Sequence, residues 1–180
     1  MADSLASPVI VLHVCEGICL RYPLAEPCAT SGYLRAESRN CTDPSCCKDG
    51  VMYPQFRCSP PVTANTPARM IISSFAAGGD GGGAAECDGN FYTDDQMVVS
   101  MSTGWYDGGG RCHSNITIDA NGRSVSAMVV DECDSVNGCV PDENFQPPCA
   151  NNVIVASPLV WRALAIPDAV GDYNVTWSDA

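Results

Sequence analysis

From about residue 68 onward, short runs of β-branched and apolar residues alternate with glycine-rich polar breaks, the pattern of an all-β sandwich or barrel. Six strands are predicted, at residues 69–75, 97–105, 115–119, 124–130, 153–155 and 173–177. Between the third and fourth, Asn121-Gly122 predicts a two-residue hairpin turn, because both residue types accept the positive φ such a turn requires. One helix is expected, with Ser157 as its N-cap, Pro158 at its first position, Leu159, Val160, Ala163 and Leu164 as its buried face, and Pro167 as its stop. Trp161 and Trp177 read as core residues. Before Pro60-Pro61 the pattern is absent: after an apolar run at residues 9–14 the chain is turn residues and cysteines. Two parts are therefore expected, a cysteine-rich segment over 1–60 and a β-barrel domain over 61–180.

The cysteines say how the first part is held. Twelve occur in 180 residues, an even count fitting complete pairing in an oxidising compartment. Cys15, Cys19, Cys28, Cys41, Cys46, Cys47 and Cys58 precede the proline pair, and Cys87, Cys112, Cys133, Cys139 and Cys149 follow it. Both groups are odd in number, so full pairing requires at least one bridge between them. The amino-terminal segment is then clamped to the barrel, each bridge contributing about 2 to 4 kcal/mol. Adjacent Cys46 and Cys47 are expected to reach different partners, since a ring between neighbours strains the intervening peptide.

Charge narrows the function. Acids outnumber bases 21 to 9, a formal charge of −12, which disfavours nucleic acid and anionic membrane as partners. No stretch is long and apolar enough to span a bilayer. The amino terminus lacks a signal peptide's basic start, and the chain is read as a mature secreted protein whose signal is replaced by an initiating Met. Sequons at Asn40, Asn115 and Asn174 are compatible with a secretory route.

Metal and cofactor chemistry find little support. There is no Cys-x-x-Cys, and His13 and His113 are the sole histidines. Asp131, Asp134, Asn137 and Glu143 lack the spacing of a calcium loop. The run Gly78 to Gly83 lacks the Lys-Ser/Thr ending of a phosphate loop and is read as a flexible barrel loop. No Gly-x-Ser-x-Gly elbow occurs. No metal and no cofactor are expected. Tyr106, Asp107 and Arg111, beside Trp105 in a glycine-rich stretch, suit a protein-binding or sugar-stacking surface. Loops 76–95, 105–111 and 134–150, carrying Phe91, Phe145 and Gln146 as well, form the expected contact surface.

Several motifs occur in order: Cys58-Ser-Pro-Pro-Val-Thr63, Gly78-Gly-Asp-Gly-Gly-Gly83 followed by Glu86-Cys87, Ser102-Thr-Gly-Trp-Tyr106, Gly109-Gly-Arg-Cys112, Val129-Val-Asp-Glu-Cys-Asp-Ser135, Gln146-Pro-Pro-Cys149-Ala-Asn-Asn152 and Thr176-Trp-Ser178. Together they resemble the kiwellins, secreted ripening- and defence-related plant proteins, from about Gly32 to the carboxyl terminus. The resemblance implies a six-stranded double-psi β-barrel, shared with barwin, expansin first domains and bacterial lytic enzymes. It also implies an extracellular, apoplastic protein that inhibits a microbial partner, since some grass kiwellins bind a secreted fungal chorismate mutase. The membrane-active amino-terminal peptide of the founding kiwellins is not reproduced before Gly32.

The lytic and expansin relatives place carboxylates in an open groove. Asp131 matches the acid that ends a strand before a cysteine. Aligning Ser157 with the helix cap puts Val155 where their second aspartate stands, and the opening strand, around Ser74, carries no acid. Asp131, Ser74 and Val155 are thus expected as groove anchors rather than catalytic residues, with Asp131 held by loop amides and Glu132 and Asp134 as solvated loop acids. The protein is expected not to be an enzyme, and a wall-polysaccharide binder of the expansin kind is the alternative.

Overall fold

The computed structural model describes residues 28–36, 45–141 and 144–180. Cys15, Cys19, Cys41, His13, Asn40 and Glu143 lie outside the described residues. A two-stranded antiparallel ribbon, β1 (Gly32–Arg35) and β2 (Met52–Gln55), comes first. The barrel strands are β3 (Thr66–Ile72), β4 (Val98–Ser102), β5 (Asn115–Ala120), β6 (Arg123–Cys133), β7 (Val153–Ala156) and β8 (Asp172–Asp179), with helix α1 (Thr103–Tyr106) after β4 and helix α2 (Pro158–Ala163) after β7.

The six strands close in the order β3-β7-β4-β6-β5-β8. β3–β7 and β4–β6 are parallel, and the other four pairings are antiparallel. This is a double-psi β-barrel. The consecutive strands β3 and β4, and likewise β6 and β7, are separated by one strand in this order, so the chain crosses over in long connections at 73–97 and 134–152, and these connections wall the groove described below. Alternate residues fill the interior: Met70, Val99, Met101, Ile116, Ile118, Val129, Ile154 and Trp177 are fully buried in one cluster. Each such side chain contributes about 1.5 to 3 kcal/mol by leaving water. A second small cluster of Phe75, Ala85, Tyr92, Val98 and Val130 lies beneath the first long connection.

The predicted hairpin forms with Ala120 opposite Arg123, and Asn121 and Gly122 take φ of 53° and 68°. Ser157 precedes α2 and Pro158 opens it, but the Ser157 hydroxyl makes no helix cap. It donates instead to the Gln96 carbonyl at 2.6 Å. The helix ends at Ala163, before Pro167, where Ala165 turns into positive φ. The strand expected through Trp105 stops at Ser102. Trp105 falls in α1, and its indole N–H donates to the Pro60 carbonyl at 2.8 Å. β3 starts and ends three residues earlier than expected, because Thr66 pairs with Trp177 and the residues after Ile72 bond to a loop carboxylate instead. The β1–β2 ribbon was not expected: its strands have four residues each and Pro54 interrupts the second, so alternation is too short to read.

Disulfides join Cys28–Cys58, Cys47–Cys139, Cys87–Cys112 and Cys133–Cys149, and Cys46 is also in a disulfide. Cys47–Cys139 crosses the proline pair, and Cys46 and Cys47 do not pair with each other.

Candidate functional site

An open groove of about 790 Å³ runs across the outer face of the barrel. Its floor is set by strand register. Ile71 on β3 faces Val155 on β7, Val155 faces Ser100 on β4, and Ser100 faces Asp131 on β6. All four line the groove. The row therefore grades from apolar to charged across four strands.

Asp131 reaches this face because β6 carries an irregularity. Val99 pairs with Val129, but the next residue of β4, Ser100, pairs with Asp131, leaving Val130 as an extra residue. Such a bulge re-aims the side chains beyond it. Val129 points into the main core, Val130 into the small outer cluster, and Asp131 into the groove instead of the interior.

The Asp131 carboxylate is held through one oxygen. Oδ1 accepts the amides of Glu86 at 2.8 Å and Glu132 at 2.9 Å, and Oδ2 has no partner among the described residues. Burial pushes its pKa above the ordinary aspartate value. The two amides oppose that shift, and the charges of Glu86 and Glu132 add to it. The expectation of loop amides holding Asp131 is met for Glu86. Glu132 is not the solvated loop acid expected: it lies half-buried next to the last residue of β6, accepts the Thr103 hydroxyl, and has its pKa raised mainly by burial. Asp134 takes the amides of Val136 and Asn137, an Asx turn.

Asp131 is not the sole acid here. Asp80, Glu86, Glu132 and Asp134 line the same groove, and Arg69 is the one cationic side chain in its lining among the described residues. Arg69 is paired with Asp172. The sequence offered a partial signal for Glu86, which adjoins the bridged Cys87, and none for Asp80 inside the glycine run. That run is tied down rather than free. Asp80 accepts the Ser73 hydroxyl at 3.0 Å and the Ser74 amide at 2.7 Å, and a Cβ at Gly81 would meet the Ser74 carbonyl at 2.3 Å. Tyr92 secures the loop further on. Its buried hydroxyl donates to Asp88 at 2.6 Å, and burial with that carboxylate pushes its pKa up to about 12.

The expected site residues divide. Val155 and Gln146 line the groove. Ser74 does not: its hydroxyl donates to Asp94 at 2.7 Å, and Ser73 takes its place in the lining. Tyr106 is 5% exposed, its hydroxyl lying 3.4 Å from Cys112 Sγ, so it packs inside rather than offering a contact surface. Arg111 is committed to the fold: it donates to the Trp105 carbonyl and Asp179, with its guanidinium 5.6 Å from the Trp177 ring centre. Asp107 and Phe91 are exposed, and Phe145 is half-buried. Among the described residues no three metal-ligating side chains gather to hold an ion.

Fold and groove define a double-psi β-barrel with an acidic outer groove. The Kiwellin-1 family model matches residues 12–180, and the chain belongs to the kiwellin family. It is similar to putative ripening-related protein 2 of Oryza sativa subsp. japonica, 54% identical over 159 residues, covering 87% of this chain and 82% of that one. Kiwellin of Actinidia chinensis var. chinensis is 43% identical over 176 residues, covering 96% and 76%. Among solved structures, a Clavibacter michiganensis expansin in complex with cellohexaose aligns with a TM-score of 0.49 and 19% identity, over 64% of this chain and 50% of that one.

Proposed function

We propose that this kiwellin-family protein is secreted into the plant apoplast and acts in defence by binding and obstructing a pathogen-secreted enzyme. A fungal chorismate mutase is the candidate partner, by resemblance to the grass kiwellins. The observation that carries a binding rather than a catalytic role is the row Ile71–Val155–Ser100–Asp131. Where glycan-cleaving relatives keep a second acid, this chain has Val155; the other acids of the groove, Asp80, Glu86, Glu132 and Asp134, come from its loops and the end of β6 and leave that position apolar, whereas glycoside cleavage ordinarily places its two carboxylates on either side of one bond. The disulfide-pinned barrel and the tied loop 76–95 suit a rigid binder, whose affinity comes from preorganisation rather than turnover. Phe91, Asp107, Phe145 and Gln146 are the contact residues of this reading, and it needs no cofactor.

The test is a pull-down of secreted fungal proteins on immobilised full-length protein, read by mass spectrometry and followed by a mutase inhibition assay. Capture and inhibition of a chorismate mutase support the reading. Its absence from the captured set removes that partner.

A second reading, a wall-polysaccharide binder, is favoured by the openness of the groove. Against it, the one aromatic in the groove lining among the described residues is Phe75, buried to 9% exposure, so these residues offer no exposed ring to a sugar face. Loss of cellulose binding in Asp131→Asn, with protein capture unchanged, would reverse the order of the two readings.

A further inference from the structure

Ser100 is 4% exposed, lines the groove, and its hydroxyl has no hydrogen-bond partner among the described residues. That hydroxyl is not one of the fully buried side-chain atoms left without a partner among the described residues, so it opens onto the groove, where an occupant can reach it. Beside it across the strand pair stands Asp131, whose Oδ2 is likewise unpartnered among the described residues. One acceptor and one hydroxyl thus sit side by side at the polar end of the row. At the other end Val155 and Ile71 give an apolar track.

We infer that the groove seats a basic side chain, lysine or arginine, from a protruding segment of a partner protein, with its cationic head between Asp131 Oδ2 and Ser100 Oγ. The inference rests on the protein-binding reading and names the chemistry of the contact. Three observations converge on it. The gradient from Ile71 and Val155 to Ser100 and Asp131 matches a side chain with an aliphatic stem and a charged tip. Four further carboxylates line the groove, and the one cation in its lining among the described residues, Arg69, is already paired with Asp172, so the field favours a positive occupant. Among the described residues the lining has no exposed aromatic ring, which separates this site from one built to stack sugars. Ser100 adds direction, since its oxygen can accept from an ammonium or guanidinium.

The experiment is an NMR titration of the 15N-labelled full-length protein with three probes: acetyl-Gly-Arg-Gly-amide, the same peptide with citrulline for arginine, and cellohexaose. Citrulline keeps the shape and removes the charge. The arginine peptide is expected to shift the amides of Ser100, Asp131 and Glu86, and to bind about tenfold more tightly than the citrulline peptide, a difference of about 1.4 kcal/mol. Raising salt should narrow that gap. Asp131→Asn should lose the preference for arginine, and Ser100→Val should weaken the arginine peptide several-fold. Equal binding of the two peptides, shifts confined to other surfaces, no groove shifts with any probe, or cellohexaose shifting these amides at lower concentration would each overturn the inference. The peptide comparison on the unsubstituted protein stands even where a variant fails to fold. A captured partner whose binding survives Asp131→Asn would sink this inference and leave the proposed function intact. Arginine-selective binding with no captured protein would do the reverse.

Discussion

Gly104 lies so close to Ser59 that a Cβ added to it would stand 2.1 Å from the Ser59 amide nitrogen. The neighbouring bond from Trp105 to the Pro60 carbonyl locks the same contact, so α1 seats directly on the chain around Cys58. Backbone cannot yield as a flexible side chain can. Gly104→Ala should therefore cost about 3 kcal/mol, at the upper end for overpacking, seen as a lower urea midpoint. An unchanged midpoint would show that α1 can lift off this segment without penalty.

Arg111 ties three elements together, through the Trp105 carbonyl, Asp179 on β8 and the face of Trp177. Arg111→Ala is expected to lower stability by about 2 to 3 kcal/mol, the sum of a charged hydrogen bond and a partly buried cation–π contact. Arg111→Lys should recover only part of it, because an ammonium cannot reproduce the planar fork. Thermal unfolding of both variants checks this, and full recovery by lysine would contradict the geometry.

Asp131 gives a pH signature. Its pKa is raised in the fold, first by burial and then by Glu86 and Glu132, against the two amides. A raised carboxylate contributes stability below its unfolded value, near pH 4, and that contribution is lost as pH rises through the folded value. At neutral pH the ionised group is thus a burden on the fold. Asp131→Asn, which keeps an oxygen for both amides, should be at least as stable as the parent at pH 7, with its relative advantage fading on acidification. Urea midpoints across pH 3 to 8 test the sign. A variant that loses ground to the parent as pH rises would refute it.

The Cys47–Cys139 bridge spans 92 residues and joins the segment before the proline pair to the connection after β6. Replacing both cysteines by alanine should cost about 2 to 4 kcal/mol, mostly by freeing the unfolded chain. Limited proteolysis should then cut near residues 45–51 and 139–146 first, since Cys47 N–H bonds the Phe145 carbonyl in the same clasp. Resistance equal to that of the parent would mean the remaining contacts suffice.

The barrel was legible because its inner faces alternate cleanly, as along Asn115–Ala120, and because Asn121-Gly122 marks a turn by residue type alone. The end of β4 was not, since Met-Ser-Thr-Gly-Trp continues a strand-like sequence and only the contact of Gly104 with residue 59 turns it into a helix. In the site, Asp131 and Val155 were readable from their positions beside Cys133 and Ser157. The acids gathered from the loops were not, because Asp80 is placed by bonds that fold its loop back onto Ser73 and Ser74, and Glu86 by its amide's bond to Asp131, 45 residues away. Tyr106 and Arg111 misled for the opposite reason: residue types enriched at interfaces were here consumed by the fold's own end.

The extra residue Val130 belongs to the small outer cluster and not to the groove. A one-codon deletion there would leave Asp131 directly after the inward-facing Val129, where plain alternation still turns it outward opposite Ser100, so the groove would keep its carboxylate while the cluster of Phe75, Ala85, Tyr92 and Val98 lost a member. Shortening this strand by one residue should accordingly loosen the loop that covers the cluster before it alters the groove.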